Sequence, residues 1–169
     1  MKNIKEYNLD ELKQELISVG EKGYRAEQIF NWLYVEKVKS FDDMTNLSLE
    51  LREKLKQNYT MCNFEILSKQ ESSDGTKKYL FDVLDGNAIE TVLMEYHHGK
   101  TICVSSQIGC KMGCKFCAST GIAFVRGLTA GEIVEQILAV EQDIGEHISN
   151  IVFMGIGEPF DNYDNVMHA

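Results

Sequence analysis

The chain has 169 residues, 44% hydrophobic and 25% charged, a globular balance that excludes wholesale disorder and can bury a core without staples. No apolar run approaches the roughly 20 residues of a membrane-spanning helix, and the start MKNIKEYNLDELKQ lacks a secretory signal's apolar segment, so a cytoplasmic protein with no membrane partner is expected. The net charge of −9 excludes the broadly basic surface of an ordinary phosphate binder, and it is uneven: residues 1–60 carry 10 basic and 11 acidic side chains, 61–128 carry 7 and 7, and 129–169 carry none and 8.

The first sixty residues read as short helices. Asn8 and Glu11 have capping-box spacing, and Leu9, Leu12, Leu16 and Val19 follow at helical intervals until Gly20 and Gly23 stop the run. A second helix is expected over Arg25–Val35, burying Ile29, Phe30 and Leu33, and a third from about Ser48, burying Leu51 and Leu55. They make a small bundle with Lys and Arg on its outer surface, a module suited to binding or positioning.

From Cys62 the period changes to two. The segments Phe64–Ser68, Lys78–Leu84 and Ala88–Glu95 are rich in β-branched and aromatic residues, and Asp74-Gly75 and Asp85-Gly86 signal hairpin turns. Three antiparallel strands are expected, then a further strand at Thr101–Ser105. After the loop GCKMGCKFCAST, Thr129 has capping-box spacing to Glu132. A helix over Ala130–Ile144 carries Ile133, Val134, Ile137 and Leu138 on one face and ends at Gly145. A strand at Asn150–Met154, apolar on consecutive positions like a parallel strand buried on both faces, leads into the loop GIGEP and a helix after Asp161. The expected architecture is α+β, with a helical accessory domain (1–60), an antiparallel β segment (61–95) and the first βα units of a partial TIM-like (β/α) barrel (96–169). A whole barrel takes ~250 residues, and two parallel strands cannot cover their own faces, so the sequence reads as an N-terminal piece of a longer enzyme. The acidic stretch 129–169 then either forms an acidic face or meets a basic remainder.

Five cysteines, an odd number, and no export signal argue against a disulfide framework. Three of them, Cys110, Cys114 and Cys117, fall within eight residues on one loop. Three thiolates suit a [4Fe–4S] cluster held at three of its irons, the fourth being open to a small molecule that binds through nitrogen and oxygen. Zinc is the competitor, but a structural zinc site wants four ligands. The fourth would have to be Cys103 or one of His97, His98, His147 and His168, none in a familiar spacing. A zinc-stabilised RNA-binding module without chemistry is therefore the alternative from another class. Cys62 reads as structural, His97 and His98 as turn residues facing solvent, and Arg126 as either a phosphate contact or a solvated charge.

The spacing CxxxCxFC resembles the signature of radical S-adenosylmethionine (SAM) enzymes. That resemblance implies that Cys110, Cys114 and Cys117 hold the cluster, that the open iron chelates the amino and carboxylate groups of SAM, and that Phe116 lies near its adenine. Gly157-Glu158 matches the glycine-rich motif that holds the SAM amino group, and a carboxylate is a suitable acceptor for a buried ammonium. The wider wording, ETVLMEYHHGKTICVSSQIGCKMGCKFCAST with LTAGEIVEQI, NIVFMGIGEP and the earlier GYRAEQIFNWLY, resembles the RlmN-type adenine-C2 methyltransferases of rRNA and tRNA. The resemblance covers essentially the whole chain. A sister family methylates carbon 8 of the rRNA adenine, and Pro159 favours carbon 2.

Carbon 2 of adenine is electron-poor and closed to ordinary attack on SAM. The resemblance implies that one SAM methylates a cysteine near the family's C-terminus, which matches none of the five here. A second SAM is cleaved to a 5′-deoxyadenosyl radical that activates the methyl group for addition to the ring. Releasing the resulting protein–RNA adduct needs a proton acceptor, matched by Glu90, and a second thiol that breaks the link as a disulfide, matched by Cys103. The implied partners are 23S rRNA, tRNA and an electron donor such as flavodoxin or ferredoxin, with the helical module serving RNA recognition. By itself this chain is expected to bind a cluster poorly and not to turn over.

Overall fold

Two capping boxes fix where helices begin. The computed structural model describes all residues, 1–169, as two units, Met1–Asn63 and Phe64–Ala169. In the first unit, β1 (Lys2–Asn3) precedes α1 (Leu9–Ser18), whose cap Asn8 accepts from the Glu11 backbone while the Glu11 carboxylate accepts from the Asn8 N–H. Then come α2 (Arg25–Tyr34), α3 (Leu49–Asn58), capped by Ser48, and β2 (Tyr59–Thr60), which pairs in parallel with β1. The core collects Leu12 and Leu16 of α1, Ile29 and Leu33 of α2, and Leu51 and Leu55 of α3 around Met44. The expected stripes were wider. Leu9 and Val19 are exposed because they lie at the ends of α1, beyond the contact with α2. Phe30 is half-buried, its ring 4.3 Å from that of Tyr34. Nor are all cations outside, since the buried Lys5 donates to the Cys62 carbonyl at 2.7 Å.

The second unit is built on one five-stranded sheet. Strands β3 (Glu65–Glu71), β4 (Lys77–Asp82), β5 (Ala88–Tyr96) and β6 (Gly99–Cys103) run antiparallel in sequence order. A two-stranded ribbon follows, β7 (Gln107–Ile108) with β8 (Arg126–Gly127). Helix α4 (Ala130–Ile144) leads to β9 (Asn150–Val152), which joins β6 in parallel, and α5 (Tyr163–His168) ends the chain. The division expected at residue 95 thus runs through one sheet, β6 pairing antiparallel with β5 and parallel with β9. One β–α–β step, β6–α4–β9, is present, within a mixed α/β unit. No helix is long and apolar enough to cross a membrane.

Alternation along β5 sets the layers. Ile89, Thr91 and Leu93 are buried under α4, while Glu90, Val92 and Met94 face the other way. Strand β9 departs from the expected burial on both faces. It is an edge strand with a partner on one side only, and Ile151 remains 48% exposed.

Helix α4 begins at the second capping box, Thr129 with Glu132. Its buried surface is broader than an apolar stripe. Val134 and Ile137 are half-buried, whereas Glu132, Glu135, Gln136 and Glu141 are buried and serve backbone and side-chain donors. Glu135 accepts from Phe64 N at 3.1 Å and Glu141 from Ile148 N at 2.8 Å. Gln136 accepts from Ser105 N at 2.8 Å and from the Thr91 hydroxyl at 2.8 Å, and donates to Ser105 O at 2.9 Å. Three of the eight acidic side chains of residues 129–169 are therefore turned inward as hydrogen-bond acceptors.

Candidate functional site

The three clustered cysteines lie on the loop between β7 and β8. The ribbon closes its neck, with Val125 N donating to Ile108 O at 2.8 Å and Cys110 N to Ile122 O at 3.3 Å. Gly109, at φ +69, is required there, because a Cβ would stand 2.0 Å from the Ala123 carbonyl oxygen. Beyond the neck the loop is held by its own turns: Cys117 N to Cys114 O at 3.1 Å, Thr120 N to Cys117 O at 3.1 Å, and the Thr120 hydroxyl to Cys114 O. Cys110 is half-buried, Cys114 and Cys117 are exposed, and all five cysteines of the chain are free thiols. Nowhere do three or more His, Cys, Asp or Glu side chains stand in a metal-holding arrangement. The donor set nevertheless fits a soft iron–sulfur centre, since residues 109–123 offer three thiols and no carboxylate or imidazole. Phe116 projects from this loop, 93% exposed.

The turn after β9 is built differently. Ser106 N and Gln107 N donate to Ile156 O at 2.9 and 3.2 Å, and Ile156 N donates to the Ser105 hydroxyl at 3.1 Å. Gly157, at φ +108, lies against Gln107 so closely that a Cβ would be 2.7 Å from that side chain's Cβ. Glu158 N donates to Gln107 Oε1 at 3.0 Å, and Glu158 Oε1 accepts from Phe160 N at 3.0 Å, capping the short turn Pro159–Asn162. Asn162 donates to both Ser106 O and Leu128 O, at 2.8 and 2.7 Å. Asp161 accepts from Gln107 Nε2 at 2.8 Å and pairs with Lys111 at 2.9 Å, and Lys111 lies between Cys110 and Cys114. The hydrogen bond from Lys111, then that from Gln107, holds the Asp161 carboxyl below its usual range.

Glu90 and Cys103 share the face of the sheet turned away from α4. Cys103 is registered opposite Val92, and Glu90 is two residues from Val92 on β5. Burial pushes the Cys103 thiol up, against a lesser opposing hydrogen bond from the Met154 backbone, so the group stays protonated at neutral pH. Glu90 Oε1 is 3.0 Å from Lys78 Nζ on β4. Cys103 also lines a concavity of about 600 Å³ with Val92, Met94, Thr101, Val152 and Met154. Thr101 Oγ1 and Asn150 Nδ2, on registered partners at one end of this surface, are buried without a hydrogen-bond partner.

The structure thus puts the expected residues in three places: thiols and Phe116 on one loop, Gly157 and Glu158 on the next, Glu90 and Cys103 on the sheet. His97 and His98 are exposed in the β5–β6 turn, where His98 stacks on Tyr96 at 5.2 Å. Arg126 is not a freely solvated charge. Its guanidinium makes two bonds of 2.7 Å to Glu132 and bonds of 2.9 and 2.6 Å to Asp85, pinning β8 to α4 and to the β4–β5 turn. Sequence reasoning missed Gln107, Gln136, Asp161 and Asn162, because a polar residue's role as a bracket depends on contacts across 31 to 56 positions of chain.

Residues 2–61 match the family model for the ribosomal RNA large subunit methyltransferase N-terminal domain. A probable dual-specificity RNA methyltransferase RlmN of Clostridium novyi is 53% identical over 99% of this chain and 49% of its own length. The protein of the same name from Bacillus velezensis is 50% identical over 98% of this chain and 46% of its own. A crystal structure of a radical SAM methyltransferase from Sphaerobacter thermophilus superposes with a TM-score of 0.91 at 40% identity, covering 99% of this chain and 50% of that one. The chain spans about half the length of the curated relatives it matches, and over that span it is similar to RlmN-type RNA methyltransferases, its residues 2–61 matching their N-terminal domain.

Proposed function

We propose that this chain carries the cofactor-binding part of a radical SAM methyltransferase that methylates carbon 2 of an adenine in 23S rRNA and in tRNA. The observation that carries the reading is the pairing of an all-thiol loop with a carboxylate-bearing turn, joined through Lys111, Asp161 and Gln107. Cys110, Cys114 and Cys117 would hold a [4Fe–4S] cluster, which with bound SAM would supply the electron and the carbon radical that the chemistry needs. Glu158 uses Oε1 for its turn and presents its other oxygen to the SAM ammonium, while Gly157 lets backbone approach. Phe116, unsupported by neighbours in this structure, covers the adenine of SAM.

Two groups on the sheet finish the reaction. Glu90 takes the proton from the ring carbon of the adduct, sharing its carboxylate with Lys78 until then. Cys103, kept as a thiol by burial, gives up its proton and attacks the sulfur that links protein to RNA: an S–S bond forms, the bond from that sulfur to the methylene carbon breaks with its electron pair passing to the base, and a proton then completes the methyl group. The sheet is read as the opening of a (β/α) barrel whose lumen is the face bearing Cys103. The helical unit, 1–60, recognises RNA, an electron donor of the flavodoxin or ferredoxin type reduces the cluster, and the setting is cytoplasmic.

Anaerobic reconstitution of a full-length form with iron and sulfide tests the reading. A brown chain with a charge-transfer band supports it, and a colourless chain holding stoichiometric zinc overturns it in favour of a binding module. Mass spectrometry of nucleosides modified by a full-length form distinguishes carbon 2 from carbon 8. The 169-residue chain alone is not expected to turn over, because none of its five cysteines matches the methyl carrier.

A further inference from the structure

Gln107 is 1% exposed, yet both ends of its amide are spent on the turn after β9. Its oxygen meets a donor, the Glu158 N–H, and its nitrogen meets an acceptor, the Asp161 carboxylate. The orientation is fixed by chemistry, since a flipped amide would set donor against donor and acceptor against acceptor. The same Asp161 oxygen takes Lys111 from the cysteine loop, and the Gly157 backbone rests on the Gln107 side chain. One buried side chain therefore touches the glutamate turn directly and reaches the cysteine loop through a single carboxylate.

We propose that Gln107 is a positioning residue that sets the Gly157–Glu158 turn in register with the cysteine loop, so that the amine end of SAM and the cluster meet at a fixed separation. The cofactor part rests on the reading of the site given above; the bracket itself rests on contacts within this chain. Glutamine is specified over its near-isosteres. A glutamate at 107 would keep an acceptor for Glu158 N but oppose the Asp161 carboxylate, and a leucine would leave the Glu158 N–H and the Asp161 oxygen without their partner.

The test uses hydrogen–deuterium exchange of the cluster-free chain and SAM binding to a cluster-loaded full-length form. Gln107→Glu is expected to speed exchange of the 156–161 amides about tenfold, the equivalent of one net hydrogen bond, with α4 unchanged. Adding Asp161→Asn gives the new carboxylate an amide donor and should return exchange to the wild-type rate. In the loaded full-length form, SAM affinity, read from the shift of the reduced cluster's EPR spectrum, should fall about tenfold in Gln107→Glu at unchanged iron content and recover in the double variant. Unchanged exchange, failure of the double variant to recover, or looser exchange with SAM affinity unmoved would each overturn the proposal. A wild-type full-length form that takes up iron but whose spectrum ignores SAM overturns the cofactor reading instead, while exchange and its rescue still judge the bracket. Should Gln107→Glu not fold, Asp161→Asn alone, which weakens the same bracket from the surface, is expected to speed the same amides, and no change there counts against the proposal.

Discussion

The cysteine loop and the glutamate turn are neighbours with opposite construction. The turn is fastened to the chain around it: the Ser105 and Gln107 side chains accept from Ile156 N and Glu158 N, and the turn's own Asn162 donates to Ser106 O and Leu128 O. The cysteine loop past its neck is held by contacts within itself, its backbone turns, the Thr120 hydroxyl on Cys114 O and Lys111 over the Phe124 ring, and by the tie from Lys111 to Asp161. The difference teaches where the chain has placed its order. A carboxylate that must meet an ammonium gains by being held ready. Thiols that wrap a cluster can be gathered by the cluster, because a preformed metal site need not precede its metal. Free, solvent-facing Cys114 and Cys117 are what that division of labour leaves.

The sharpest way to break the comparison is to unfasten the turn from below. Gln136→Leu deprives Ser105 N, Ser105 O and the Thr91 hydroxyl of their partner in a buried setting. The expected loss is about 3 kcal/mol in urea unfolding, with faster amide exchange at Ile156, whose partner is the Ser105 hydroxyl. Asn162→Ala acts one layer out and strips two carbonyls, on Ser106 and Leu128, for about 2 kcal/mol by the same measurement. Equal costs from any single substitution within 112–121 would show that the cysteine loop is as well fastened as the turn.

A third effect is smaller and depends on pH. Burial pushes the Asp143 carboxyl up, but hydrogen bonds from Lys69 and Tyr79 outweigh it and the folded value lies below the ordinary 3.8. The unfolded chain then binds this proton first as the solution is acidified. The stability from Asp143 is full above pH 3.8 and fades as pH falls through the lower folded value. Asp143→Asn should therefore be less stable than wild type at neutral pH, with the gap narrowing only below about pH 3.8, as read by thermal melts. Since α4 carries Asp143 as well as Gln136, Asp143→Asn at neutral pH should leave exchange in the glutamate turn unmoved if the fastening is local.

Much of the frame was legible in the sequence for physical reasons that act locally. Asn8 with Glu11 and Thr129 with Glu132 are contacts three residues apart, so spacing alone reveals them. Strands β4 and β5 betrayed themselves by alternation and the hairpins by their Asp-Gly turns, whereas β3 is exposed at all seven positions and carries no alternation. The ribbon of β7 and β8 was not legible, because two residues give no period and their partners lie 18 or 20 positions away. Nor was the inward use of Glu135, Gln136 and Glu141, since a polar residue on a helix looks the same to a sequence whether it meets water or a buried N–H. Among the expected site residues, the thiol spacing was visible because all three cysteines sit on one loop. The bracket of Gln107 and Asp161 is 54 positions long and needed the fold.

The smallest expected effect on stability tests the other half of the comparison. Cys114→Ala and Cys117→Ala each remove an exposed thiol that supports no packing in the cluster-free chain, so each should shift urea unfolding by less than about 0.5 kcal/mol. Their effect on iron, in a reconstituted full-length form, should be of another order. With three thiols as the whole donor set of the loop, losing one leaves two, too few to retain a cubane, and reconstituted iron should fall to the level of a chain lacking all three. Cys62→Ala, in the other unit, should leave iron untouched and so controls for adventitious loading at thiols. A chain that kept its iron after losing Cys114 or Cys117 would mean that the ligands lie elsewhere, and the contrast between a loop gathered by its cofactor and a turn held ready for it would fall.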